Sequence, residues 1–157
     1  MRIAIGSDER SHLTDFVEQE LERRGFQVER FGPLKGEPLS WPDVAQAVAE
    51  AVASGRAKDG VLFCWTGTGV SIAANKVPGV RAALCGDAET ARGARAWNQA
   101  NVLCLSLRAT SETVAKEILD AWLSASPDPA EVENVERVKG LDQRYRPAIP
   151  QPVKREA

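Results

Sequence analysis

Apolar residues recur along this chain in two alternating patterns, short uninterrupted runs and longer stretches with helical spacing. The short runs predict strands at 1–7, 26–31, 60–63, 80–85 and 101–106. Helical spacing predicts helices at 13–24, 43–54, 72–76 and 88–97, and a further helix, capped by Thr110 or Ser111, that ends near 124. Strands that alternate with helices pair in parallel through right-handed crossovers. The pattern therefore predicts a doubly wound, Rossmann-like α/β fold with a five-stranded parallel sheet flanked by helices.

The composition changes after this last helix. The sequence Ser126-Pro127-Asp128-Pro129 breaks the helical pattern, and a charged helix is predicted at 131–144. From Pro147 onward the residues predict a loose tail, 147–157. A second stretch rich in proline and glycine, 32–38, is predicted to be a loop without regular structure. We therefore expect one domain, 1–146, that ends in an additional C-terminal helix.

Length and charge narrow the classes of function. A chain of 157 residues with 43% hydrophobic residues is long enough for one domain with a substantial core. Its net charge of −2 gives no electrostatic reason to expect nucleic acid or an anionic membrane as a partner. No apolar run approaches the roughly 20 residues of a membrane-spanning helix. A cytoplasmic protein is expected.

The cysteines of the chain are Cys64, Cys85 and Cys104, and they are far apart in the sequence. Neither a disulfide framework nor a zinc site is indicated by that spacing. Each cysteine lies in or directly after an apolar run. For Cys85 and Cys104 the favoured interpretation is a small buried hydrophobic residue.

A glycine-rich stretch, 64–71, follows the third predicted strand and precedes a predicted helix. Gly67 and Gly69 would let the backbone approach a ligand closely, and free N–H groups at the helix start would favour an anion. Cys64 would stand at the carboxyl end of the strand, where open α/β sheets bind their ligands. The stretch matches neither a dinucleotide fingerprint nor a P-loop. A tight turn beside one buried cysteine is the alternative.

Several motifs together identify a family resemblance that covers about residues 1–144. The chain resembles the ribose-5-phosphate isomerase type B family, which includes the two-subunit galactose-6-phosphate isomerase. The motifs are Ile5-Gly6-Ser7-Asp8, Trp41-Pro42-Asp43, Cys64-Trp65-Thr66-Gly67-Thr68-Gly69-Val70-Ser71-Ile72-Ala73-Ala74-Asn75-Lys76, Val80-Arg81-Ala82, Asn98 with Asn101-Val102-Leu103, and Arg108. The block that begins at Cys64 is the most specific of them.

The resemblance implies an aldose–ketose isomerase that uses neither a metal nor a cofactor and works through an enediolate. It implies that Cys64 moves the proton between C1 and C2 of the sugar and that Thr66 assists. The loop N–H groups implied to stabilise the enediolate oxygen are those of Gly67, Thr68, Gly69, Val70 and Ser71. Preorganised donors of this kind act on developing negative charge.

The resemblance also implies how the sugar phosphate is held. Asp8 and Asn98 would bind hydroxyl groups, and Arg108 and Arg137 would grip the phosphate. In this family the site forms between two subunits, which implies a homodimer or a dimer of dimers. Arg137, in the last predicted helix, would then serve the partner's site; the alternative for it is a solvated, ion-paired helix face.

The sequence departs from the family where histidine is typical. Glu9 follows the first-strand aspartate, and Trp97 precedes Asn98 at the position of the ring-opening histidine. The pair Glu133-Asn134 stands where the family has arginine and histidine. His12 matches none of these positions and is predicted to lie at the start of the first helix without a catalytic role.

These departures change the expected substrate. Tryptophan cannot exchange a proton near neutral pH, so a substrate that needs no ring opening, such as a tetrose 4-phosphate, is favoured. Glu9 as a replacement ring opener and an unphosphorylated sugar that tolerates Glu133 are the alternatives. Trp65 and Trp97 either form a flat apolar floor for the sugar or simply pack. Two other classes stand as rivals: a sugar-binding member without catalysis, and an unrelated phosphate-binding or partner-docking α/β domain.

Overall fold

The computed structural model describes residues 1–146. The predicted loose tail, 147–157, lies outside the described residues. Within residues 1–146, no helix is long and apolar enough to cross a membrane.

The centre of the molecule is one parallel sheet. Its strands are β1 (Arg2–Ser7), β2 (Gln27–Phe31), β3 (Asp59–Cys64), β4 (Ala82–Leu84) and β5 (Val102–Ser106). They lie in the order β2-β1-β3-β5-β4. In the central register, Ile5 pairs with Val61 and Val61 with Leu103. All side chains of β3 are buried, because helices cover both faces of a parallel sheet. The predicted fold class is confirmed.

Six helices surround the sheet. They are α1 (His12–Arg23), α2 (Trp41–Ala53), α3 (Thr68–Ala74), α4 (Ala88–Asn98), α5 (Glu112–Ser124) and α6 (Val132–Arg144). One core contains residues of α1, α4 and α5 packed on the sheet, and a second contains residues of α2 and α3 on the opposite face. Helix α6 lies beside the loop before β4, where the Gly79 amide donates to Asp142 Oδ2 at 2.8 Å.

Side chains cap three of the six described helices, α1, α4 and α5. Ser111 rather than Thr110 caps α5, since its hydroxyl accepts from the Val114 amide at 3.1 Å. Asp87 caps α4 in the same way, with the Thr90 amide at 2.7 Å. His12 is the first residue of α1 and is largely exposed, as predicted for a residue at the start of that helix.

Three element predictions need correction. The stretch predicted as an irregular loop begins with a 3-10 helix, Gly32–Lys35, because Pro33 is favourable in its first turn and Gly36 closes it at φ 83°. Helix α3 begins inside the glycine-rich stretch, at Thr68, and ends earlier than predicted. Strand β4 is shorter than predicted, with three residues that pair with β5.

Because the strands are parallel, the sheet has a carboxyl edge, where every strand ends, and an amino edge, where every strand begins. The strand order reverses direction between β1 and β3, which is the topological switch point of the sheet. Helix α4 begins at the carboxyl edge, after β4, and returns to the amino edge, where β5 begins. At 1.5 Å per residue, its 11 residues span about 16 Å.

Candidate active site

Cys64 is the last residue of β3 and lies at the carboxyl edge. It pairs with Ser106 of β5 across the sheet and belongs to the core cluster on the α2–α3 face. Its exposed fraction is 6%. On the other side of β3, the register pairs Ser7 with Phe63, which brings Asp8, one residue further on, beside Cys64. The thiol is therefore shielded but stands at the switch point where ligands of such sheets bind.

The two loop glycines, which are predicted to let the backbone approach a ligand, also pack closely against other residues of the chain. Gly67 has φ 77°, and a Cβ there would lie 2.5 Å from Leu84 Cδ1 and 3.0 Å from the Leu105 carbonyl carbon. A Cβ on Gly69 would lie 3.0–3.2 Å from ring atoms of Trp41. Both glycines are needed for close packing within the chain, and Gly67 also for its left-handed backbone.

The start of α3 directs backbone donors toward the carboxyl edge. The Ser71 amide donates to the Gly67 carbonyl at 3.3 Å. Among the described residues, no backbone or side-chain acceptor is recorded for the amides of Thr68, Gly69 and Val70. These are the first donors of the helix, which have no partner inside it. Of the five predicted loop donors, Ser71 is thus already bonded, whereas the amides of Thr68, Gly69 and Val70 have no acceptor within residues 1–146.

A segment after β5 ties Arg108 to the cysteine loop. The Arg108 amide donates to the Trp65 carbonyl at 3.0 Å, and the Leu107 amide donates to the Cys64 carbonyl at 3.0 Å. The Ser106 hydroxyl donates to the Trp65 carbonyl at 2.9 Å. Arg108 and Thr66 line one cavity of about 410 Å³. This cavity opens at the carboxyl edge, next to the loop.

The remaining carboxyl-edge candidates are Asp8 and Glu9, which follow β1. The Ser7 hydroxyl donates to the Glu9 carbonyl at 2.6 Å, so the turn that carries both carboxylates is fixed. Asp8 is half-buried and Glu9 is exposed. The Thr66 and Thr68 hydroxyls lie 2.7 Å apart and are hydrogen-bonded to each other. One edge thus brings together Asp8, Glu9, Cys64, Thr66, residues 67–71 and Arg108.

Of the other two thiols, Cys85 lines the cavity with Thr66 and Arg108, and Cys104 lies within β5. Burial raises the pKa of Cys85 to about 12, and burial likewise raises the pKa of Cys104 above its ordinary value. Both side chains are almost completely buried, as predicted for small hydrophobic residues. They remain neutral across the range in which enzymes work, so neither is suited to move a proton.

Three predicted site residues lie at the amino edge instead. Trp97 and Asn98 end α4, and they line a cavity of about 420 Å³ together with α6 residues that include Asn134 and Val138. Arg137 is on α6, exposed, and its guanidinium contacts Glu133 Oε1 at 2.7 Å. Within one chain Trp97 and Asn98 do not reach Cys64, because the length of α4, about 16 Å, separates them from the carboxyl edge. For the same reason Trp65 and Trp97 of one chain do not form a common floor.

The sequence and the fold are both similar to those of known isomerases. The Ribose/Galactose Isomerase family profile matches residues 3–141. D-erythrulose-4-phosphate isomerase of Pectobacterium atrosepticum is 40% identical over 131 residues, 80% of this chain and 84% of that protein. Ribose-5-phosphate isomerase B of Escherichia coli is 37% identical over 148 residues, 91% and 97% of the two chains. The chain belongs to the ribose/galactose isomerase family.

A solved structure supports the same conclusion. Clostridium thermocellum ribose-5-phosphate isomerase B superposes with a TM-score of 0.86 at 39% identity, covering 92% of this chain and 99% of that one. The predicted family is therefore confirmed, and so is the predicted enzyme class, aldose–ketose isomerase. Within residues 1–146, no three His, Cys, Asp or Glu side chains converge to hold a metal ion.

Sequence reasoning gave no site role to Trp41, which the structure places at the carboxyl edge of this ribose/galactose isomerase. Its indole ring covers Gly69, and the residue is 44% exposed. It is the first residue of α2, with Pro42 next to it in the first turn. The motif Trp41-Pro42-Asp43 indicated the helix start, but the contact with Gly69 comes from tertiary packing between α2 and α3.

Proposed function

We propose that the protein is a cytoplasmic homodimeric isomerase whose active site combines the carboxyl edge of one copy with the amino edge of the other. Its substrate is a small sugar phosphate, and a tetrose 4-phosphate fits the site best. The observation that carries this proposal is the division of the predicted site residues between two edges about 16 Å apart along α4. The described cysteines are all unpaired, in keeping with a reducing compartment.

The dimer follows from what each edge lacks. The carboxyl edge has the thiol, the loop amides and Arg108, but not the predicted site residues of α4 and α6. The amino edge has Trp97, Asn98 and Arg137, but neither the thiol of Cys64 nor the amides of the loop. A two-fold axis that brings one edge against the other forms two identical complete sites. Exposed Leu84 and Trp97, on β4 and α4, supply apolar surface for such a contact.

The chemistry assigned to the complete site is a proton transfer between neighbouring carbons. Cys64, as thiolate, takes the proton from the carbon beside the carbonyl group, and the carbonyl oxygen becomes the enediolate oxygen. The unbonded amides of Thr68, Gly69 and Val70 stabilise this charge, because they already point to where it develops. The proton of the neighbouring hydroxyl group passes to the former carbonyl oxygen, and Cys64 returns its proton to the other carbon, which interconverts aldose and ketose. Thr66 assists from the same loop.

The partner's residues and Arg108 orient the substrate. Asp8 and the partner's Asn98 bind the hydroxyl groups, and Arg108 with the partner's Arg137 binds the phosphate. A guanidinium group suits this task, since it donates two parallel hydrogen bonds to phosphate oxygens. Glu9 and the partner's Trp97 complete the walls of the site.

Trp97 is the reason to favour a tetrose. The indole group has a single donor and no basic atom, so it cannot open a sugar ring by acid–base catalysis. A tetrose 4-phosphate has its O4 blocked, which leaves only strained small rings, and its carbonyl group is free. Ribose 5-phosphate is mostly a closed furanose. The 40% identical relative named D-erythrulose-4-phosphate isomerase supports the same substrate class.

An unphosphorylated sugar is the second candidate. It is favoured by one contact, the ion pair of 2.7 Å between Arg137 and Glu133, which occupies a guanidinium assigned to the phosphate. Both side chains of the pair are exposed, so the contact is weak and a phosphate can replace it.

A panel of substrates separates these candidates. The values of kcat/KM are measured for tetrose 4-phosphates, ribose 5-phosphate, hexose 6-phosphates and free sugars, with deuterium exchange at C2 followed in heavy water. The proposal predicts the highest kcat/KM for a tetrose 4-phosphate. Equal turnover of ribose 5-phosphate would refute the argument from Trp97, and exchange with free sugars alone would favour the second candidate. Binding without any exchange would identify a sugar-binding member without catalysis.

A further inference from the structure

A strained turn follows Trp97 and Asn98 directly. Gln99, the residue after α4, has φ 47°, and within residues 1–146 it is the only residue other than glycine with a positive φ. This conformation brings Cβ close to the backbone and costs energy for any residue except glycine. Surrounding contacts must therefore hold the turn in place.

Arg81 makes those contacts from the start of β4. Its Nε donates to the Gln99 carbonyl at 2.9 Å. Its backbone amide donates to Asn101 Oδ1 at 2.8 Å, and its carbonyl accepts from the Asn101 amide at 2.9 Å. One residue thus fixes the turn on both sides of Ala100, immediately after the pair Trp97–Asn98.

The Arg81 guanidinium is not held by an ion pair of its own. Within residues 1–146, no carboxylate lies within 4.0 Å of it. The side chain is half-buried and lines both the cavity with Trp97 and Asn98 and a neighbouring cavity of about 300 Å³ with Asp59 and Arg95. The side chain donates its hydrogen bond to the Gln99 carbonyl, whereas Asp142 and Glu136 of α6 act on its charge from beyond contact distance.

The same contacts continue to α6. Asn101 Nδ2 donates to the Gly79 carbonyl at 3.0 Å, and the Gly79 amide donates to Asp142 Oδ2 of α6 at 2.8 Å. The end of α4 and helix α6, which carries Arg137, are therefore connected through the segment that precedes Arg81.

We propose that Arg81 is a positioning residue for the amino-edge half of the site, the part that each copy contributes to the partner's Cys64. This inference rests on the proposed function, since it requires a site shared between two copies. Arg81 contacts no substrate itself; it sets the conformation of the turn after Asn98. Its loss therefore affects the site in the other subunit, not the site at its own Cys64.

The kinetic test compares three variants. Arg81→Met removes the Nε donor and keeps the length of the stem, whereas Arg81→Lys keeps the charge without a donor at the Nε position. Both are expected to lower kcat by about tenfold or more, because a small misplacement of a binding group is costly. Arg23→Met, an exposed arginine of α1, is the matched control and leaves kcat unchanged. Full activity of Arg81→Lys would show a role of charge alone and overturn the proposal.

A second-site variant tests the turn itself. Glycine adopts positive φ without penalty, so Gln99→Gly in the Arg81→Met background is expected to recover a substantial part of kcat. If Arg81→Met alone folds poorly, the double variant can still be used for the test. A double variant that folds, and is as inactive as Arg81→Met, would contradict the positioning role.

Mixed dimers distinguish this proposal from the shared site on which it depends. Arg81→Met and Cys64→Ser chains are unfolded together and refolded, or exchanged at equilibrium. A mixed dimer has one site with an intact Cys64 and an intact amino edge, so random exchange of a two-fold dimer restores about a quarter of wild-type activity. If activity recovers in a mixture of Cys64→Ser and Asn98→Ala but not in the Arg81→Met mixture, the shared site stands and only the role of Arg81 is overturned. No recovery in either mixture overturns the shared site and the inference together.

Discussion

The carboxyl and amino edges of the sheet differ in what their residues can do. At the carboxyl edge, the carbonyls of Cys64 and Trp65 accept hydrogen bonds of 3.0 Å from the amides of Leu107 and Arg108, and the first amides of α3 have no acceptor among the described residues. At the amino edge, Trp97 and Asn98 are exposed at the end of a helix, next to a cavity of about 420 Å³. In the proposed mechanism, the first edge transfers the proton and the second recognises the substrate. Substrate specificity can therefore change at the amino edge while the chemistry at the carboxyl edge is retained.

The largest effect is expected at the carboxyl edge. Cys64→Ser replaces the proposed proton carrier by a hydroxyl group that stays protonated, so kcat should fall by about 10²–10⁴. The fold should be retained, as measured by circular dichroism. Cys104→Ala is the matched control, because it removes a neutral thiol from the same face of the sheet. Near wild-type turnover of Cys64→Ser would remove Cys64 from the mechanism.

A smaller and more specific effect is expected at Trp97. Trp97→His supplies an acid–base group where the tryptophan has none, which should raise kcat/KM for ribose 5-phosphate relative to a tetrose 4-phosphate by about tenfold or more. Trp97→Phe, which changes size but adds no titratable group, serves as the comparison. If both variants show the same ratio between the two substrates, ring opening does not explain the specificity.

A modest effect is expected at the ion pair on α6. Glu133→Gln releases Arg137 from its contact at 2.7 Å, so KM for a phosphorylated substrate should fall a few-fold while kcat is nearly unchanged. Stability should change little, because exposed helix pairs contribute only about 0.3–0.5 kcal/mol. Arg137→Gln should raise the same KM. A KM that responds to neither substitution would exclude Arg137 from phosphate binding.

The smallest effect is expected at Asp87, which caps the helix that joins the two edges. The hydrogen bond from the Thr90 amide lowers the pKa of this carboxyl group below its ordinary value of 3.8. Its stabilisation is therefore complete above pH 3.8 and is lost as the pH falls through the lowered pKa. Asp87→Ala should lower Tm by at most a few degrees at pH 7, with the difference from wild type shrinking in acid. If the Tm difference between Asp87→Ala and wild type stays the same until Asp87 is fully protonated, the cap does not depend on the charge of this carboxyl group.

Much of the fold could be predicted because the relevant signals are local. Buried runs and helical spacing identify strands and helices, and Asp87 and Ser111 mark helix starts through their own side chains. The strand order could not be read in this way. The insertion of β5 between β3 and β4 depends on pairing between distant segments.

In the candidate site, too, local features could be predicted and contacts between distant segments could not. The end-of-strand position of Cys64 was predictable from one apolar run and the glycines after it. The close packing around those glycines was not predictable, because the Leu105 backbone and the Trp41 ring, which they contact, come from other parts of the chain. Nor could spacing reveal that Trp97 and Asn98 lie one helix length away from Cys64, since that follows from the direction of α4.

The most direct test of the account is complementation between Cys64→Ser and Asn98→Ala chains. Each homodimer is expected to be impaired at both of its sites. After subunit exchange, every mixed dimer contains one site with an intact Cys64 and an intact partner's Asn98, so about a quarter of wild-type kcat should return in a one-to-one mixture. Sedimentation of the same samples confirms that the chains remain dimers. Activity in the mixture that equals the mean of the two separate variants would show that Cys64 and Asn98 do not act across the interface, and would contradict the account.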